Sequence, residues 1–178
     1  MKKIKAAVAV VVFILMMIAN PSVAYAAESG LTVVPGSVME RVLSEAEIEA
    51  LPSEMLQMEM IEGNQINATS SSYDVYEYSQ TFDFYYGDTW IAAAHASCIV
   101  YRYTDGKVHL ASREISIERL TSYSATKSYG SIVNTDGSVC YTTGDRVTVY
   151  DYTHIWTFAI DFAATPTGQS FNCYEIDY

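Results

Sequence analysis

The 178-residue sequence is poor in positive charge, with ten Lys and Arg against 21 Asp and Glu. Nucleic-acid partners need clustered Lys and Arg to meet their phosphates, so this balance excludes them. Three cysteines are too few for a disulfide scaffold. No apolar run reaches the ~20 residues of a membrane-spanning helix. Length and composition therefore indicate one acidic globular domain.

The first 26 residues have the pattern of an export signal. A basic leader precedes an uncharged apolar run, Ala6–Ala19, which spans only about 21 Å as a helix, short of a hydrocarbon core about 30 Å thick. Ala24 and Ala26 place small residues where a signal peptidase cleaves. We expect residues 1–26 to be removed and the protein to be secreted from a bacterial host, without membrane attachment afterwards.

The remaining chain, residues 27–178, has a formal charge of −14 and changes character near residue 63. Residues 27–62 hold eight acids and one base, and Ser44 with Glu47 forms a capping-box pattern. Pro52 should end that helix before a second short turn. The sequence predicts an acidic helical segment over 27–62 and a polar linker over 63–72, which would make the segment separable from the rest.

Residues 73–178 predict an antiparallel β domain. Aromatic residues occupy alternate positions from Tyr76 to Tyr86 and again from Trp156 to Phe162, as in half-buried strands. Turn dipeptides, including Asp105-Gly106, separate the segments, and no helical period intervenes. We expect a mainly β fold, an antiparallel β-sandwich or barrel of about seven to eight strands.

The Asp105-Gly106 turn fixes a strand pairing that shows whether two histidines could share a metal ion. A two-residue type I′ loop pairs residues whose numbers sum to 211, which sets His95 opposite Ser116 and His109 opposite Arg102. The two histidines are then about 23 Å apart at ~3.3 Å per residue and point to opposite faces. The sequence therefore predicts no shared metal ion, and no motif indicates a cofactor.

His95, Glu114 and Glu118 are the candidate catalytic residues, because the same register places both carboxylates diagonally beside the imidazole. Such a group can act as general acid and base. More often it is a solvated cross-strand contact, and no nucleophile motif accompanies it.

The cysteines lie at positions 98, 140 and 173, each within a predicted strand. Export and an odd number suggest one disulfide and one remaining thiol, and Cys140–Cys173 is the preferred pair. The alternative is three buried thiols acting as small apolar residues.

Tyrosine is abundant, with fifteen residues. Tyr101, Tyr103, Tyr150 and Tyr152 are the candidate binding residues, because tyrosine offers a large contact area with few rotors to freeze. Their β-propensity alone is an equally good explanation. These observations favour a secreted, non-catalytic β-sandwich module that binds a protein or glycan at a cell surface. A secreted hydrolase or hydrolase inhibitor is the alternative.

Overall fold

The computed structural model describes residues 25–26, 30–51, 72–135 and 137–176. It is mainly β, with two antiparallel six-stranded sheets, one of them a half-barrel, and one short helix. The predicted fold class is therefore confirmed. The apolar run of the export signal, the second helical turn and most of the polar linker lie outside the described residues. No helix in the described ranges is both long and apolar enough to cross a membrane.

The first sheet has the order β1-β2-β4-β5-β6, and β3 pairs with β4 beside β2. Its strands are β1 Tyr25–Ala26, β2 Leu31–Pro35, β3 Met39–Val42, β4 Tyr73–Tyr86, β5 Thr89–Tyr103 and β6 Val108–Arg119. β1 belongs to the segment that the sequence predicts to be removed on export. A chain cleaved after Ala26 therefore keeps the sheet from β2 onward.

The second sheet has the order β7-β10-β11-β9-β8, and β12 pairs with β11 on the other side. Its strands are β7 Ser124–Ser128, β8 Ser131–Thr135, β9 Val139–Thr143, β10 Arg146–Tyr150, β11 Ile155–Thr165 and β12 Gly168–Glu175. β9 and β10 both pair with β11, so they act as one interrupted strand. β7 and β8 repeat this interruption around Gly130, where an added Cβ would lie 2.0 Å from the Thr143 carbonyl oxygen. Only glycine fits there, and this unforeseen break gives the 73–178 region more strands than predicted.

The main core lies between the two sheets, on the faces that we call inner. The predicted alternation is confirmed, because Phe82 and Phe84 of β4 and Phe158 and Phe162 of β11 are all buried. The rings of Phe84 and Phe158 meet with centroids 4.6 Å apart. β4 is buried at alternate residues, whereas β11 is buried without interruption from Phe158 to Ala164, and the large side chains of both strands meet in one core.

Residues 30–51 form two strands as well as the predicted helix. Helix α1, Glu45–Glu49, begins at the predicted capping box, where the Ser44 backbone N–H donates to the Glu47 carboxylate at 2.9 Å. β2 and β3 were not predicted, because each is short and its pairing with β4 involves residues 34 or more positions away. Leu31 and Val33 of β2 belong to the main core.

The helix covers a second apolar cluster on the outer face of the first sheet. Leu43, Val75, Tyr101 and Ala111 are its buried members, and Ile48 and Leu51 pack against them. The predicted face of α1, with Ile48 and Leu51, is thus the face that packs.

The predicted register of the β5–β6 hairpin is confirmed far from the turn and is wrong next to the turn. His95 pairs with Ser116 as predicted, but Tyr101 pairs with His109 because the register shifts after Ile99. Within this hairpin loop only Gly106 has a positive φ, +84°, whereas a type I′ turn needs two such residues, and the observed pairing leaves a loop of three residues. A bulge at Ala111 restores the predicted pairing, and His109 consequently shares the outer face with His95.

The outer edge of β6 is covered by side chains of the second sheet. The Asn134 side chain accepts from the Leu110 N–H at 2.8 Å and donates to the Leu110 carbonyl at 3.2 Å, replacing a neighbouring strand. Nearby, Arg113 and Asp145 form an ion pair at 2.6 Å with side chains 12% and 3% exposed. These contacts join the two sheets along one side.

Candidate functional site

A group of exposed aromatic and aliphatic side chains lies at the end of the molecule where β10 turns into β11. In this group, which we call the aromatic end, Tyr152 is fully exposed and Ile155 is 74% exposed. Tyr86, from the end of β4, and Leu120, from the end of β6, are also exposed. The full set is Tyr86, Leu120, Tyr123, Tyr152, His154, Ile155 and Trp156.

Aromatic contacts organise this end. The His154 ring stacks on buried Trp156, with centroids 5.2 Å apart and planes 8° apart. Tyr86 lies 5.4 Å from both rings, and Tyr123 lies 6.5 Å from Trp156. The exposed Tyr86 and His154 rings therefore sit on a buried support, which limits the side-chain entropy lost when a partner covers them.

The turn that carries Tyr152 is held by a carboxylate. Asp151 accepts hydrogen bonds from the backbone N–H groups of Thr153 and His154, both at 2.7 Å. Its distance to His154 Nδ1 is 3.3 Å. Hydrogen bonds from Thr153, then from His154, lower the pKa of Asp151 to about 2. The aspartate is thus ionised at neutral pH and fixes the turn.

The four tyrosines predicted to bind lie at opposite ends of the molecule. Tyr101 is 2% exposed, and its ring contacts Tyr73 at 5.2 Å within the second apolar cluster. Tyr103 is half-buried beside the same ring, at 5.8 Å. Tyr150 is half-buried at the end of β10, next to exposed Tyr152. Of the four, Tyr152 is therefore the one with a wholly free surface.

The predicted catalytic group is only partly assembled. His95 Nε2 lies 3.9 Å from a Glu118 oxygen, and its Nδ1 lies 2.9 Å from the Thr81 hydroxyl. Glu114 pairs directly across the strands with Ser97, as the predicted register requires. The side chains of His95 and Glu118 are 44% and 71% exposed, so water competes for every contact. This geometry is that of a solvated cross-strand contact.

The three cysteines are free, buried thiols in the structure, so the preferred Cys140–Cys173 bond is not formed in it. Cys140 of β9 and Cys173 of β12 pair with β11 on its two opposite sides, which keeps β11 between them. Burial raises the pKa of the Cys140 thiol to about 12. Such thiols are inert rather than nucleophilic.

No three His, Cys, Asp or Glu side chains within the described ranges come together as ligands for a metal ion. His109 and His95 share a face but stay seven strand positions apart, measured along β6 from His109 to the partner of His95.

No protein-family model, curated protein or solved structure matches this chain. The aromatic end was not predicted from the sequence, although two signals for it exist. Tyr86 is the last member of the aromatic alternation in β4, and it is the member that emerges into solvent. Ile155, an aliphatic residue at the exposed start of a strand, is the second signal.

Proposed function

We propose that the protein is a secreted, non-catalytic binding module that docks onto a protein partner through the aromatic end. The observation that carries this proposal is the gathering of Tyr86, Leu120, Tyr152 and Ile155, four of the nine exposed large apolar residues in the described chain, at one end. Exposed apolar patches of this kind are typical of interaction sites.

The composition of the patch favours a protein over a glycan. Sugars stack on aromatic rings, but aliphatic Ile155 and Leu120 gain most from burial against apolar side chains of a protein. The formal charge of −14 over residues 27–178 favours a partner with a basic surface, since opposite charge speeds association.

Export is part of the proposal and has its own test. The exported protein should begin at Ala27, and the intact mass of protein from the medium should show the loss of residues 1–26. An uncleaved chain in the membrane fraction contradicts secretion without contradicting the docking surface.

Docking can be tested by photo-crosslinking the protein to its partner in cultures of the producing cells. A benzoylphenylalanine at position 152 should give one discrete adduct that disappears when Ile155→Ser is added. The same probe at position 129, where Tyr129 is 44% exposed away from the aromatic end, is the matched control. Equal adducts from both positions, or none from position 152, would refute docking through this end.

The alternative function, a hydrolase, has one observation in its favour, the short Thr81–His95 contact beside Glu118. A hydrolase of this design should lose its activity on an activated ester in the His95→Ala variant. An inhibitor of hydrolases would instead depend on the aromatic end.

A further inference from the structure

Arg102 lies between the sheets without a carboxylate within ion-pair distance in the described part of the chain. Its guanidinium carbon is 5.3 Å from the centre of the Tyr76 ring and 5.5 Å from that of Tyr78. It donates to two neutral oxygens, the Gln169 side chain at 3.2 Å and the Pro166 carbonyl at 3.4 Å. Its Nε is buried without a partner. The residue as a whole is half-buried, and a charge partly withdrawn from water in this way is normally paired with an opposite charge.

A second buried polar atom beside Arg102 lacks a hydrogen-bond partner. It is the hydroxyl of Tyr78, a fully buried residue whose ring centre lies 5.5 Å from the guanidinium carbon. Burial raises the pKa of Tyr78, so its hydroxyl stays protonated and can donate. Buried polar groups in native proteins nearly always have partners, so an unpaired donor beside a cation indicates a ligand.

Two acids flank Arg102 without an ion pair to it in the described residues. Asp74 is its direct partner across β4 and β5. Gln169 lies between Arg102 and Glu40, because it accepts from Arg102 with its oxygen and donates with Nε2 to Glu40 at 3.2 Å. Glu40 is exposed, so it lies at the solvent side of this group. An anion that reaches the guanidinium therefore meets an unpaired charge, with Asp74 and Glu40 as repulsive neighbours.

We propose that Arg102 is the binding site for a carboxylate group, with the Tyr78 hydroxyl as a second donor and the Tyr76 ring against the body of the ligand. A planar guanidinium matches a carboxylate with two parallel hydrogen bonds. General attraction does not explain binding here, because the chain is strongly acidic and repels anions. The carboxylate belongs to a small organic acid or to the terminus of a polypeptide.

The direct test is a titration of the full protein with benzoate, followed by NMR of the arginine Nε–H groups. The Arg102 signal should shift and saturate, whereas benzamide, which has the same shape without charge, should leave it unchanged. An absent shift, or an equal shift with benzamide, overturns the proposal.

Three variants distinguish a loss of benzoate binding at Arg102 from a loss of folding. Arg102→Gln should weaken benzoate binding at least about tenfold, since hydrogen bonds to charged groups contribute this much. Glu40→Gln should tighten benzoate binding severalfold, because it removes a repulsive carboxylate. This variant keeps Arg102, so it tests the site even if Arg102→Gln does not fold. Arg119→Gln, at an exposed arginine that donates to the Tyr123 carbonyl, is the matched control and should change nothing. Unchanged binding in folded Arg102→Gln, or weaker binding in Glu40→Gln, contradicts the assignment.

A short peptide that ends in phenylalanine identifies the source of the carboxylate. Tighter binding than benzoate, lost when the terminus is amidated, indicates a polypeptide terminus. Tighter binding of benzoate indicates a small acid. Failure of both to bind refutes the site, and neither result bears on docking through the aromatic end.

Discussion

At the scale of single residues, Asp145 holds the two sheets together through an ion pair and a hydrogen bond. Its carboxylate pairs with Arg113 and also accepts the Gly130 N–H at 2.8 Å, while Arg113 donates to the Gly130 carbonyl at 2.7 Å. One carboxylate thus fixes β6 of the first sheet against the strand break in the second.

Replacing Asp145 with alanine should lower the free energy of unfolding by about 3–5 kcal/mol, because it leaves Arg113 buried without its counter-charge. Urea denaturation gives the value. Asp105→Ala, which removes the exposed ion pair with Lys107, is the control and should barely move the midpoint. Similar losses in both variants would show that burial of the Asp145 pair is unimportant.

Glu47 leads to a prediction about acid. Hydrogen bonds from Ser44, then from Arg41, lower its folded pKa to about 2, while an unfolded glutamate titrates near ~4.3. A lowered folded pKa means that the stabilisation is complete above the unfolded value and disappears as the pH falls towards 2. Wild type should therefore lose stability relative to Glu47→Gln between pH ~5 and ~2. Thermal melting of both proteins at each pH measures the difference. Equal falls in the melting temperature of the two proteins over that range would contradict the prediction.

At the scale of the element, β2 decides whether residues 27–62 are separable. The sequence favours a detachable helical segment, but Leu31 is fully buried in the main core and β2 pairs with β4 over five residues. We therefore expect a chain that begins at Ser70 to lose its cooperative thermal transition.

A point variant tests the same element without truncation. Leu31→Ala should destabilise by about 2–5 kcal/mol, as large-to-small changes in a core do. Val34→Ala, on the same strand with a side chain 41% exposed, is the matched control and should cost far less. Chemical denaturation of both variants measures the difference; equal effects would mean that β2 does not contribute to the core.

Elements differ in how far local sequence determines them. The strands β4 and β11 could be predicted, because their aromatic residues recur at every second position, a pattern that is visible locally. The Ser44 helix start is equally local. The bulge at Ala111 and the break at Gly130 could not, since each depends on a partner strand that sequence spacing does not reveal.

The candidate site was predicted less well than the fold, for the same reason. Trp156 could be assigned to an inner face, but the contacts of Tyr86 with Trp156 and His154 join residues about 70 positions apart in the chain. Tyr101 shows the opposite error, because an abundance of tyrosine does not distinguish an exposed ring from one that α1 covers.

At the scale of the whole molecule, the three thiols report on opening of the fold. Cys98, Cys140 and Cys173 are all buried, so a thiol reagent should label none of them rapidly in the native protein and all three in urea. Counting modified thiols by intact mass checks this. Rapid labelling of any one under native conditions would show that its strand opens locally.

Three is an odd number, and this has a consequence for the ageing of the protein in an oxidising medium, where the proposed export would place it. When a molecule opens in an oxidising medium, two thiols can close on each other, and the third can be satisfied only by another molecule. Aged protein should therefore accumulate covalent pairs of chains rather than extended networks, because each chain has a single valence left once its internal bond has formed.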